Sequence, residues 1–162
     1  MSLLNRLNKD LTNSATIDQL IELLNEWDPR MEHSISNGIL KIRKHGGGRI
    51  YTTSYFLNQV AGEYSDMLRA AGVRSIFFDG ETDIIIARDM NLDKNIVIKS
   101  DRDIYFVKGR KSTKVTISGL NLKCGTLYIG NKGVEMEQNI FTCRAIDDPY
   151  DCLIGDCEVN YI

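Results

Sequence analysis

Residues 114–132 read KVTISGLNLKCGTLYIGNK, and residues 133–143 continue GVEMEQNIFTC. The series Val115-x-Ile117-x-Gly119 returns 19 positions later as Val134-x-Met136-x-Gln138. An alternating apolar pair turns both of its members to one face of a strand. Its return at a fixed spacing therefore points to strands of successive segments lying side by side. The same pair occurs toward both termini, as Ile76/Phe78 in SIFFDGETDIII, Ile96/Ile98 in NIVIKSDRDIYF and Cys157/Val159 in DCEVNYI. The five segments begin at residues 75, 95, 114, 133 and 156, at separations of 20, 19, 19 and 23. A unit of that size cannot enclose a core alone, whereas successive units can stack strand on strand at about 4.8 Å.

The expected fold class is mainly β: a short right-handed parallel β-helix of about four to five coils with an α-helical N-terminal region and cap. The stretches GVRSIFFDG, NLDKNIVIKSD, KVTISGLNL and GVEMEQNIF resemble the pectin-lyase-like β-helix superfamily, which includes phage tailspikes and polysaccharide lyases. The resemblance runs from Val73 to Val159 and takes in the helix before it. It is one of coil pattern and carries no catalytic motif. An antiparallel barrel or sandwich is the competing reading, since it also has short strands at regular spacing.

The first third reads as helix. Thr16 and Gln19 stand at capping-box spacing, and Ile17, Leu20, Ile21, Leu24 and Trp27 share one face before Pro29 ends the run. A weaker amphipathic stretch with Leu3, Leu4, Leu7 and Leu11 precedes it, and a third helix is expected from Phe56 to Ala71, closed by Gly72. The domain division is 1–37 as an N-terminal helical region and 38–162 as the helix-capped β-helix.

With 162 residues, 43% hydrophobic, the chain suffices for one core. A net charge of -2 neither announces nor excludes a nucleic-acid binder. The N-terminus lacks an unbroken apolar signal segment and no run approaches a membrane span, so cytoplasmic synthesis is expected, with virion association compatible with the resemblance. The four cysteines show no metal-ligand spacing, and Cys124 and Cys143 fall at equivalent offsets as stacked small hydrophobes. No metal site and no cofactor are expected.

Glu135, Glu137 and Glu158 are the candidate catalytic carboxylates, because rows on adjacent coils approach the separation a retaining glycosidase uses. A solvated acidic face is the simpler account of them. Lys41, Arg43, Lys44 and Arg49 around the Gly46–Gly48 turn, with Lys108, Arg110 and Lys111, are candidate anion-binding residues. Val159, Tyr161 and Ile162 are candidates for association through an open end. The expected function is a non-enzymatic recognition or assembly module, tailspike-like by resemblance, with a protein (self or a partner subunit) or a glycan as partner and no membrane. A polysaccharide hydrolase or lyase and a nucleic-acid-directed regulator are the alternatives.

Overall fold

The computed structural model describes residues 15–63, 65–108, 115–125, 127–129, 134–137, 140–143 and 160–161. Helix α1 spans Ala15–Trp27 and buries Leu20 and Leu24 fully, with Leu23 and Trp27 packed beside them. Its last turn closes through the Asp28 N–H on the Leu24 carbonyl at 2.9 Å, and Pro29, which has no N–H to offer, ends it.

Strands β1 (Met31–Ser36) and β2 (Ile39–Lys44) then form an antiparallel hairpin with Ser36 opposite Ile39. Asn37 and Gly38 make the turn with φ of 52° and 78°. Two successive positive φ values match the right-handed twist of the flanking strands, and Asn-Gly is the pair that adopts them most readily. The expected boundary between residues 37 and 38 thus falls at the tip of this hairpin.

Strand β3 (Ile50–Thr53) leads into α2 (Ser54–Asn58), a five-residue π-helix (Gln59–Glu63) and α3 (Ser65–Ala70). The Thr53 hydroxyl accepts the Phe56 N–H and caps α2. The remaining strands are β4 (Ser75–Phe78), β5 (Thr82–Ile86), β6 (Met90–Asn91), β7 (Val97–Ser100), β8 (Ile104–Lys108), β9 (Val115–Ser118), β10 (Asn121–Cys124), β11 (Leu127–Ile129), β12 (Val134–Glu137), β13 (Ile140–Cys143) and β14 (Asn160–Tyr161).

The described strands fall into three sheets: β1-β2-β4-β7-β10-β13, mixed because of the hairpin; β14-β11-β8-β5-β3; and β12-β9-β6. The last two are parallel throughout. Columns of apolar residues face the core. In the first sheet Leu40, Ile76, Ile98 and Leu122 are successive partners, and in the second Ile50, Thr82, Ile104 and Leu127. All eight are buried at 2% exposure or less. Thr82 is the polar member, and its hydroxyl donates to the Gly80 carbonyl at 3.0 Å. That bond removes most of the cost of burying it.

This arrangement corrects the expected fold class. The chain is a mixed α/β domain with several sheets, and its described residues do not make a closed right-handed parallel β-helix of four to five equivalent coils with a helical cap. The reason lies in register. Ile76 meets Ile98, two residues beyond the expected Ile96, and Ile98 then meets Leu122 rather than Val115 or Ile117. The segment at Val115 belongs to a different sheet, where Ile117 pairs with Met90 on one side and Met136 on the other. Val115 opposite Val134 and Cys124 opposite Cys143 are adjacent, but the five-fold row built on them is not. Among the outward positions between the paired apolar residues, Phe77 stands beside Lys99 rather than Val97, whereas Thr116 stands beside Glu135 as the 19-residue spacing expects.

Among the described residues no helix is long and apolar enough to cross a membrane.

A candidate aromatic cleft at the edge of the second sheet

Among the described residues, three surface clefts are considered for their size. The first, about 450 Å³, is lined by Asn58, Gly62, Glu63, Asp89, Asn91, Leu92 and Asp93. Its polar groups are already engaged. Asp89 accepts the Thr116 N–H at 2.8 Å, and Asn58 ties the Asp89 carbonyl to the Asn91 N–H. Burial pushes the Asp93 carboxyl up, but the Asn95 N–H, the Ser65 hydroxyl and Arg69 outweigh it and hold the group below its ordinary range. Among the described residues no His, Cys, Asp and Glu group could hold a metal ion.

The second, about 410 Å³, surrounds the glycine turn. Arg43, Arg49 and Arg102 line it together with Asp79, Glu81 and Asp101. Here the candidate anion-binding residues find their places. Lys41 pairs with Asp79 at 3.4 Å, Arg43 with Glu32 at 3.4 Å, and Arg49 with Glu81 at 2.9 Å and Asp83 at 2.7 Å. Lys44 meets no carboxylate among the described residues. A basic run in the sequence is therefore a balanced surface in space, with three cations facing three carboxylates in the cleft. Lys108 has only its backbone described, in β8, and Arg110 and Lys111 lie outside the described residues.

Arg49 has a structural task. Its Nε and Nη2 grip the two Asp83 oxygens at 2.7 and 2.8 Å, and its guanidinium lies 4.5 Å from the centre of the Tyr105 ring. Tyr105 in turn stacks on Tyr128 at 4.8 Å and 10°. The two faces of the Tyr105 ring are thus occupied, so this ladder braces the sheet and leaves ring edges to solvent. Asp83, whose side chain is 10% exposed, holds Arg49 above its already high basicity through their hydrogen bonds. Arg49→Met strands that carboxylate, and we expect a loss of about 1–3 kcal/mol in urea unfolding, largely recovered in the double variant with Asp83→Asn.

The third cleft, about 290 Å³, is aromatic. Trp27, Asp28, Pro29 and Arg30 form one wall, and Tyr51, Thr52, Thr53, Tyr55 and Phe56 the other. Trp27 meets Tyr55 edge to face at 5.7 Å and Phe56 at 5.3 Å, which fixes the indole. Tyr51 and Tyr55 are 47% and 46% exposed. The burial pattern of β3 alternates, with Tyr51 and Thr53 outward and Ile50 and Thr52 inward. A cleft touching three consecutive strand residues must run along the strand edge. Because the Ile50 N–H bonds the Glu81 carbonyl, residues 50 and 52 turn their main chain toward β5, and Tyr51 turns its N–H and C=O to the opposite, cleft side.

On the other wall, Arg30 reaches Asp28 Oδ1 through its backbone N–H at 3.4 Å and Nε at 3.3 Å. Among the described residues no hydrogen bond reaches Asp28 Oδ2. The Arg30 side chain is 69% exposed. The cleft thus offers ring surface, a carboxylate, a guanidinium and main-chain groups in one place.

The remaining sequence candidates lie elsewhere. Glu135 and Glu137 are in β12, opposite Thr116 and Ser118 at an edge of the three-stranded sheet, and Glu158 lies outside the described residues. Tyr161 lies in β14, the edge strand of the second sheet, while Val159 and Ile162 fall outside the described residues. Sequence reasoning missed the cleft because its walls come from α1, β3 and α2, and only exposed aromatics near an expected helix end could have hinted at it.

No family model, curated protein or solved structure matches the chain. The resemblance to the pectin-lyase-like superfamily and to phage tailspikes is thereby corrected: the strand register departs from it and no comparison supports it.

Proposed function

We propose that the chain is a non-catalytic recognition module that engages a glycan through the aromatic cleft. The observation carrying this reading is the convergence of Trp27 and two half-exposed tyrosines on the rim of a strand edge. Exposed aromatic rings gathered around a few polar groups are the composition of ligand sites, in which ring surface supplies contact area and the polar groups set orientation. In the charged turn, by contrast, Lys41, Arg43 and Arg49 are each paired with a carboxylate.

Trp27 is the only tryptophan in the chain, so its fluorescence reports on the cleft alone. Titration with a panel of soluble polysaccharides is expected to shift or quench that emission saturably for at least one of them. The Tyr51→Ala variant is expected to weaken that binding by at least about tenfold while keeping its unfolding midpoint, since Tyr51 is half exposed. Binding that survives both Tyr51→Ala and Tyr55→Ala would place recognition elsewhere on the molecule.

A further inference from the structure

We infer that the aromatic cleft selects a neutral hexopyranose unit over an acidic sugar such as a uronate. The inference rests on the recognition reading above and adds the chemical class of its ligand.

The volume, about 290 Å³, stands at the lower end of the range for ligand clefts, so it accommodates one sugar ring rather than a chain of them. A pyranose has a face of C–H groups and a rim of hydroxyls. The negative faces of aromatic rings attract the weakly positive C–H groups, which suits the exposed parts of Tyr51 and Tyr55. The rim then meets groups of both senses. Asp28 Oδ2 accepts, the Arg30 guanidinium donates, and the Tyr51 main chain does both. Each hydroxyl is itself donor and acceptor, so a neighbouring hydroxyl pair satisfies carboxylate and guanidinium together.

Asp28 makes the choice between ligand classes. A carboxylate accepts hydrogen bonds from hydroxyls and repels a second carboxylate, and Arg30 meets Asp28 at Oδ1 alone, through its Nε at 3.3 Å and its backbone N–H at 3.4 Å. A uronate would set its own negative charge against Asp28 Oδ2, with which no cation pairs among the described residues.

The full chain is titrated with a neutral hexose oligomer and, separately, with a galacturonate oligomer, reading Trp27 emission, for the wild type and Asp28→Asn. The neutral oligomer is expected to bind at least about tenfold more tightly, and Asp28→Asn to weaken it by about tenfold, the effect of losing a charge-assisted hydrogen bond. Tighter binding of the uronate, or neutral binding indifferent to Asp28→Asn, overturns the ligand class and leaves the recognition reading standing. Should neither oligomer nor any other glycan perturb Trp27, both fall. If Asp28→Asn does not fold, the preference of the wild type between the two oligomers decides alone.

Discussion

Lowering the pH from 7 to 4 is expected to cost the fold about 3 kcal/mol through one side chain, His33. It lies in β1 at 6% exposure, and its Nδ1 is 2.8 Å from Asn25 Oδ1 on α1. Burial pushes the imidazole down from 6.5 to about 4, partly countered by the negative charge of Asp28 and reinforced by His45. The unfolded chain therefore takes up a proton near pH 6.5, while the folded chain resists until about pH 4. Stability from this group is complete above pH 6.5 and falls by about 1.4 kcal/mol per unit as the pH drops through the window, as linkage requires. Urea unfolding at half-unit steps from pH 7.5 to 4.5 checks it. His33→Gln is expected to flatten the slope between 6.5 and 4.5, because an amide has no proton to gain. A wild-type curve flat over that interval would show that His33 is not held neutral by the packing of α1 on β1.

The second large effect is expected at Gly119. It follows β9 with φ of 75°, and a Cβ there would overlap the Leu92 carbonyl oxygen. The Leu92 N–H is bonded to the Ser118 carbonyl at 2.9 Å, and Gly62 also lies against this segment, where a Cβ would stand 2.6 Å from the Asn91 oxygen. The backbone of Asn91 and Leu92 is thus approached closely by two glycines and tied to β9 by a hydrogen bond, which limits its retreat. Gly119→Ala is expected to destabilise by at least about 3 kcal/mol, combining left-handed strain with displacement of main chain. Gly46→Ala provides the control: its φ is 78°, yet nothing lies within 4 Å of the added Cβ. That variant is expected to lose only about 1–2 kcal/mol from backbone strain. Equal losses in the two variants would show that close approach at Gly119 contributes nothing.

These two sites also show where the sequence was legible. The apolar face of α1, its stop at Pro29 and the succession of short strands follow from local spacing, which the chain carries within a few residues. Register does not. Ile76, Ile96, Val115 and Val134 all open an apolar pair spaced by two, and nothing in such a pair says which sheet it joins. The two-residue strand β6, which places Val115–Ser118 in a separate sheet, is too short to show any alternation. A lone histidine is ordinarily a surface or capping residue, and it is the packing of α1 onto β1 that buries His33. The basic run around the glycine turn reads as a patch because its partners Glu32, Asp79, Glu81 and Asp83 lie outside the run. The cleft was hidden for the same reason, since Trp27, Tyr51 and Tyr55 meet only after α1, β3 and α2 are assembled.

The measurement that bears most directly on the recognition account is an amide-resolved NMR titration of the full chain with a neutral hexose oligomer. The account predicts saturable shifts at the Trp27 indole and at the amides of Arg30, Tyr51, Thr53 and Tyr55, with Gly47, Gly80 and Asp93 unmoved. Shifts centred on the glycine turn or on the Tyr105–Tyr128 ladder, with the Trp27 indole unchanged at saturation, would contradict it.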